Sequence, residues 1–178
     1  MPTTIAIPRP SADEYVNYYD TYIRLVPGDD AMPALASHVD RWLPSLHRIT
    51  DTQALHRYAP GKWSAKEVLG HVCDGERVFS YRALRFARAD ETPLPGFEEK
   101  AWVPAAATDR RPMGEVIDEL AAIRVATVAL FRSFDATMLA RRGKANDQTI
   151  SVRALAWIIA GHAMHHQMGL RERYGIAG

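Results

Sequence analysis

Apolar residues recur every three or four positions in five stretches of the chain, which is the spacing of one face of an α-helix. The stretches span about residues 11–25, 31–49, 64–88, 112–134 and 151–174. None shows a convincing alternation of apolar and polar residues, so no β-strand is predicted. The pattern predicts an all-α fold, in which the last four stretches form a four-helix bundle and 11–25 adds a short N-terminal helix.

Residues that favour helix ends mark several of these boundaries. Ser64-Ala65-Lys66-Glu67 has the form of a capping box. Pro112 suits the first turn of a helix. The longest predicted connection, 89–111, is rich in proline and has room to return the chain along the bundle. We therefore expect the helices before and after it to run parallel.

Length and composition restrict the class of protein. A chain of 178 residues fits a single domain over 1–178, and 47% hydrophobic residues are enough for a sizeable core. The net charge of +1 comes from interspersed residues without a basic stripe, which disfavours a nucleic-acid partner. No apolar run reaches the ~18 residues of a membrane span, and no signal pattern opens the chain. A single cysteine, Cys73, excludes an internal disulfide. A cytoplasmic globular protein is expected.

Three histidines fall on the apolar faces of two predicted helices. His162 and His166 are four residues apart, about 40° in rotation and one turn in height on a helix. His71 lies on the apolar face of 64–88. A buried neutral imidazole needs partners for both ring nitrogens, and one metal ion bound by all three would satisfy this need.

The heights of these histidines also agree for one helix arrangement. His71 lies about 10 Å from the start of its helix, whereas His162 and His166 lie about 18 and 12 Å from the end of theirs. The levels match better if the two helices run antiparallel. Ala163 stands where a zinc peptidase helix carries the glutamate of H-E-x-x-H, so that reaction is excluded.

Three further side chains flank the histidines. Asp74, one turn after His71, can accept a hydrogen bond from a ligand imidazole or form a solvated ion pair. Arg82 returns towards the His71 face and can hold an anionic substrate or extend to solvent. His165 can serve as an alternative ligand, a support for a ligand or a proton shuttle.

Other polar residues have simpler interpretations. Glu76 is expected to form a structural ion pair, because it points well away from His71. Cys73 points about 200° away from His71 and is expected to be a small buried residue. The remaining histidines, His38, His47 and His56, lack an inward partner pattern.

Short motifs surround the histidines from residue 59 onward. They are Ala59-Pro60-Gly61-Lys62-Trp63-Ser64, Glu67-Val68-Leu69-Gly70-His71, Asp74-Gly75-Glu76-Arg77, Tyr81-Arg82-Ala83-Leu84, Thr92-Pro93-Leu94-Pro95-Gly96-Phe97, Ala154-Leu155-Ala156-Trp157 and Gly161-His162-Ala163-Met164-His165-His166. Together they resemble the DinB-like superfamily of metalloenzymes, including its YfiT-like branch. The likeness covers most of the chain from about residue 31.

The resemblance implies a four-helix bundle, frequently a homodimer, with one zinc or nickel ion bound by three histidines. It carries the ligand role onto His71, His162 and His166. Some relatives are thiol transferases and one is an isomerase, using low-molecular-weight thiols as cofactors. Relatives often have an acidic residue near His162, so Ala163 removes the general base expected there.

Several functions remain open at this stage. Three neutral histidines leave an open position on the ion, as catalytic sites do. A bound water would make the protein a hydrolase of a small ester or amide, and a bound thiolate would make it a small-thiol S-transferase. Family analogy favours the transferase, acting on a small-molecule substrate. The alternative from another class is a non-catalytic dimeric bundle that binds a metal or a ligand.

Overall fold

Four long helices form a bundle in the computed structural model, which describes residues 6–176. In chain order the α-helices are α1 (Asp20–Ile23), α2 (Ala31–Leu46), α3 (Asp51–Leu55), α4 (Ala65–Ala87), α5 (Glu99–Ala106), α6 (Met113–Arg132), α7 (Ala136–Ala140) and α8 (Val152–Tyr174). Strands β1 (Arg142–Ala145) and β2 (Gln148–Ser151) pair antiparallel before α8. No helix in this described range has the length and apolar character needed to cross a membrane. The bundle is α2, α4, α6 and α8, as the periodicity predicts.

The relative directions of the helices follow from contacts at their ends. Tyr174, at the end of α8, donates a hydrogen bond of 2.8 Å to the carbonyl of Trp63, just before α4. Arg141 follows α7, and its carbonyl accepts from the backbone N–H of Val152, the first residue of α8, at 2.9 Å. The Arg141 side chain donates to the carbonyl of Ala87 at the end of α4. Helices α4 and α8 therefore run antiparallel, as the heights of the histidines predict.

Helices α4 and α6 run parallel. Lys66 in the first turn of α4 donates to the carbonyl of Arg111, just before α6, at 2.9 Å. Further along, the hydroxyls of Ser80 and Thr127 are 3.1 Å apart. The long connection thus carries the chain back along the bundle, as predicted, and α2 packs against α6 and α8.

The predicted cap at Ser64 is confirmed and determines where α4 begins. The Ser64 hydroxyl accepts from the backbone N–H of Glu67 at 3.0 Å, and the Glu67 carboxylate accepts from the N–H of Ser64 at 2.9 Å. The Ser151 hydroxyl caps α8 by accepting from the backbone N–H of Ala154 at 3.0 Å. Gly175, with φ of +67°, ends α8 in the left-handed conformation that glycine adopts without strain. Local sequence therefore sets the limits of both histidine-bearing helices.

The predicted short N-terminal helix is present as α1, but its predicted extent over 11–25 is wrong. Residues Ala12–Glu14 and Asn17–Tyr19 form two 3₁₀ turns, and only α1 is α-helical. Backbone angles at Tyr15 are extended, with φ of −156°. The Glu14 carboxylate is buried and accepts from Nε of Arg153 on α8 at 2.6 Å. This tertiary contact stabilises the interrupted, largely non-α-helical conformation of the segment, although its sequence has helical periodicity.

The interpretation of 89–111 as a bare connection, and the absence of predicted strands, are also wrong. The connection contains α5, and a hairpin follows α7. Asn146 and Asp147 turn the hairpin with φ of +50° and +59°, as a type I′ turn requires. Leu94 joins the connection to the hairpin, donating to the Lys144 carbonyl at 2.9 Å. Strands of four residues, half of whose side chains are exposed, leave too short a pattern to detect.

A polar layer divides the core into two apolar clusters. One cluster contains the first parts of α2 and α8 with the last parts of α4 and α6; the other contains the opposite ends. Between them lie buried polar side chains from all four helices: His38, Glu76, Arg124 and His162. Buried polar groups need hydrogen-bond or charge partners, so the stability of the middle of the bundle depends on how the side chains of this layer are paired.

His38, which the sequence pattern leaves without a role, belongs to this layer. Its Nε2 atom is 2.7 Å from Oε1 of Gln167, and its Nδ1 atom has no hydrogen-bond partner in the described residues. Burial, with smaller contributions from the charges of Arg124 and Arg41, lowers the pKa of His38 from 6.5 to about 4. The imidazole is therefore neutral at pH 7.

This lowered pKa predicts a loss of stability in acid. As the pH falls, His38 takes up a proton near pH 6.5 in the unfolded chain but only near pH 4 in the folded chain. The contribution of the neutral, buried His38 to the free energy of unfolding is therefore complete above pH 6.5 and is lost as the pH falls from 6.5 to 4. The shift corresponds to about 3 kcal/mol. We expect His38→Gln to flatten the pH dependence of urea unfolding between pH 7 and 4.5. The exposed His47→Gln is the control, and an unchanged slope in His38→Gln would contradict the burial argument.

Candidate metal centre

Helices α4 and α8 bring the three predicted histidines into one cluster. Nε2 of His162 lies 3.1 Å from Nε2 of His71 and 3.1 Å from Nε2 of His166. One ring nitrogen from each lies within 4.8 Å of the others. His71 and His162 are 5% and 4% exposed, and His166 is half-buried. The three histidines predicted from their spacing along the two helices therefore meet at the same level of the bundle.

Two glycines allow this close packing. A Cβ atom at Gly75 on α4 would lie 3.0 Å from Cε1 of His162, so a larger residue would press on that ring. At Gly161 on α8, a Cβ atom would lie 2.1 Å from the backbone oxygen of Tyr22. Glycine there lets the N-terminal segment lie against α8. The Tyr22 ring packs edge-on to the His162 ring, with 5.2 Å between the ring centroids. The N-terminal segment thus forms one wall of the site.

All three histidines are neutral at pH 7. Burial lowers the pKa of His71 to about 4, with a smaller effect from His165. Burial and the neighbouring rings lower the pKa values of His162 and His166 well below 6.5. Neutral imidazole is the form that binds a metal ion, so the cluster requires no deprotonation before it can do so.

The donor set fits a divalent metal. Without an ion, Nε2 of His162 faces two other ring nitrogens, although a single nitrogen can either donate or accept. Zinc–nitrogen bonds of about 2.0–2.1 Å in tetrahedral geometry place ligand nitrogens about 3.3 Å apart. The observed 3.1 Å separations are close to that value. One ion would satisfy all three nitrogens together.

An acidic residue that the sequence analysis missed adjoins this cluster. Glu99 is the first residue of α5, and its Oε2 atom lies 4.0 Å from Nε2 of His71. Its side chain is 47% exposed, so the carboxylate is open to solvent as well as to the histidines. Glu99 lies in the segment that was interpreted as a connection. The sequence feature that could have indicated a short helix here is the pair Glu98-Glu99 shortly before the apolar residues 101–103.

Two cavities reach the histidines from different sides. The larger, about 580 Å³, lies beside His166 and is also lined by Tyr58, Trp63 and Arg173. The smaller, about 140 Å³, reaches His71 and His162 and is also lined by residues of the N-terminal segment, the connection and the hairpin turn. Glu99 lines both cavities. A small molecule can therefore approach the cluster.

The three flanking candidates have different positions. Asp74 lies apart from the histidines: its Oδ1 atom is 3.8 Å from Arg77, and it makes no hydrogen bond to a histidine within residues 6–176. His165 is exposed, lines the larger cavity, and has its ring 5.2 Å from that of His166. Arg82 is buried in the wall of the smaller cavity.

Glu76 and Cys73, to which the sequence assigns structural roles, are both buried in the bundle. Both carboxylate oxygens of Glu76 accept from Arg124, at 2.8 and 2.7 Å, which confirms the expected ion pair. Cys73 is 1% exposed, and burial raises the pKa of its thiol to about 12. A thiol that stays protonated is a poor ligand or nucleophile, in keeping with its interpretation as a small core residue.

Comparison with known proteins agrees with this architecture. A family model described as the DinB superfamily matches residues 34–168, which include all three histidines. The chain belongs to the DinB superfamily. Among solved structures, this DinB protein is similar to YfiT from Bacillus subtilis, described as a probable metal-dependent hydrolase with an unusual four-helix bundle topology. The two share 19% identity over 94% of each chain with a TM-score of 0.69, which establishes a common fold. The search of curated proteins gave no match.

Proposed function

We propose that this DinB protein is a metal-dependent hydrolase of a small ester or amide. His71, His162 and His166 would hold a zinc or nickel ion. The observation that carries the proposal is the carboxylate of Glu99, which lies 4.0 Å from Nε2 of His71 and lines both cavities. A carboxylate beside three neutral imidazoles is suited to take a proton from an attacking water. The description of YfiT as a probable metal-dependent hydrolase supports the same reaction class.

Each group then has a defined role. When bound, the metal ion would act as a Lewis acid that lowers the pKa of water and polarises a carbonyl. Glu99 would accept the proton of the attacking water on Oε2 and later return it to the leaving group. Burial raises the pKa of Tyr22, so its phenol stays protonated, and its oxygen is 3.0 Å from that of Tyr18. These phenols can donate a hydrogen bond to negative charge that develops in the smaller cavity.

Thiol S-transfer is the second candidate, and the larger cavity favours it. Its 580 Å³ beside His166 has room for a cofactor, and Lys62, Lys100 and Arg173 in its lining suit an anionic low-molecular-weight thiol. In that reaction the thiolate is the nucleophile, so Glu99 is not needed to activate water. The cytoplasmic location and the homodimer remain predictions from the sequence.

Replacing Glu99 by glutamine tests the choice between the two reactions. We expect kcat for hydrolysis of small esters such as 4-nitrophenyl acetate to fall about 10²- to 10⁴-fold, because the base is lost. Zinc content, measured by elemental mass spectrometry, should stay at the wild-type level. The adjacent exposed Glu98→Gln is the matched control. Equal hydrolysis in wild type and Glu99→Gln would exclude Glu99 as the base, and transfer of added thiols instead would favour the second candidate.

A further inference from the structure

Among the residues that the structure describes, Arg82 is a buried cation without an acidic partner. It is 4% exposed, and one of its guanidinium nitrogens donates to the carbonyl of Pro95 at 2.9 Å. The phenol of Tyr19 is its other polar neighbour, and no carboxylate of residues 6–176 lies within 4.0 Å of it. One neutral carbonyl and one phenol leave most of its five N–H donors and its charge uncompensated.

The other deeply buried arginine of the described residues provides the comparison. Arg124 is equally buried, but both oxygens of Glu76 accept from it, at 2.8 and 2.7 Å. That pattern is the usual one, because a charge removed from water requires an opposite charge and good hydrogen bonds. Arg82 departs from it without a structural reason inside the bundle. Its missing partner is therefore expected to come from outside residues 6–176.

Arg82 faces the smaller cavity that reaches the histidines. The same 140 Å³ space is lined by Arg82, His71 and His162, with Asn146 from the hairpin turn. The rings of Phe79 and Phe97 flank the guanidinium, each with its centroid 5.8 Å from Cζ. The cavity thus combines one planar cation, aromatic walls and the metal-binding edge in a volume that suits only a small molecule.

We propose that Arg82 binds a carboxylate group of the substrate and thereby selects small anionic esters or amides. The inference rests on the proposed function, since the substrate's reacting bond would then lie over His71 and His162 at the other end of the cavity. A guanidinium binds a carboxylate through two parallel N–H···O bonds, which would hold the substrate in one orientation. Glu99, whose carboxylate lines the same cavity near His71, would keep a second anionic group away from that end.

The test uses benzoate as the probe and benzamide as its neutral isostere. On zinc-loaded protein we expect isothermal titration calorimetry to show at least tenfold tighter binding of benzoate. Arg82→Gln should reduce benzoate affinity at least tenfold and leave benzamide unchanged. Arg85→Gln, one turn further along α4 and paired with Asp90, is the matched control. In wild-type protein, the NMR signal of the Arg82 Nε–H group should shift on addition of benzoate, which needs no variant to fold.

The outcomes separate this inference from the proposed function. Benzoate binding that survives in His71→Ala but not in Arg82→Gln supports an anion subsite independent of the metal. Binding that survives in Arg82→Gln but not in His71→Ala places the carboxylate at the metal and overturns the inference, as does an Arg82 signal that benzoate does not move. If the protein hydrolyses no ester while benzoate still requires Arg82, the hydrolase proposal fails and the subsite stands.

Discussion

Replacing His162 by alanine is expected to lower zinc affinity at least about 100-fold, because its Nε2 atom lies 3.1 Å from both other histidines and is central to the cluster. Two imidazoles would remain, and they would have to hold the ion without the nitrogen between them. Elemental mass spectrometry on untagged protein should find about one zinc or nickel ion per chain in wild type and little in the variant. Competition with a chromogenic chelator would measure the affinity.

The controls for this experiment come from the other histidines. His71→Ala and His166→Ala should lose metal in the same way, because each supplies one of the three nitrogens. The exposed His47→Ala should retain it, and so should the buried His38→Ala, whose Nε2 atom is directed at Gln167. Loss of metal in His47→Ala equal to that in His162→Ala would contradict the assignment. A wild-type protein that takes up neither zinc nor nickel would favour the non-catalytic bundle.

Replacing Glu76 by alanine should lower the free energy of unfolding by about 3–5 kcal/mol. Glu76 is 2% exposed and Arg124 3%, and the pair joins α4 to α6 in the polar layer of the core. Arg124 also donates to the carbonyl of Leu35 on α2, at 3.3 Å. Removing the carboxylate leaves a buried cation whose one remaining acceptor in the described part of the chain is that backbone carbonyl. Urea unfolding at pH 7, followed by circular dichroism on metal-free protein, measures the effect.

A double replacement distinguishes the cost of the unpaired charge from the value of the pair. In Glu76→Leu with Arg124→Met, both charges are gone and apolar side chains of similar volume fill the space. We expect most of the lost stability to return, since apolar replacement of a buried pair is often neutral or better. Asp74→Ala, which removes a half-buried carboxylate of the same helix, is the control and should cost about 1 kcal/mol or less. A cost for Glu76→Ala as small as that of the control would contradict the burial argument.

Local patterns were sufficient to predict the bundle and the cluster of three histidines. The stripes of α4 and α8 extend over 23 residues each, so their helical period is unmistakable. The cap at Ser64 involves only the four residues 64–67, and His162 and His166 are separated by about one helical turn. Both features are therefore local in the sequence. Heights along a helix follow from a constant rise per residue, which is why the antiparallel arrangement was predictable.

Residues whose roles depend on distant partners were not predictable in this way. Glu99 stands in a proline-rich segment, and only the packing of α5 against α4 brings its carboxylate to His71. Asn146 reaches the smaller cavity because a hairpin of two short strands pairs with Leu94. Sequence periodicity carries no information about such contacts, because their energy depends on groups that are far apart along the chain.

By itself, the sequence determined the all-helical bundle, the limits of its site helices and the three histidines, since helical period, capping and rise per residue are local properties. Only the tertiary structure decided that the segment before α2 breaks into short turns and that Glu99 adjoins the histidines. It also decided that, within residues 6–176, Glu76 pairs with Arg124 whereas Arg82 has no carboxylate partner. Burial and pairing of charges depend on which helices meet, and that is a property of the folded chain alone.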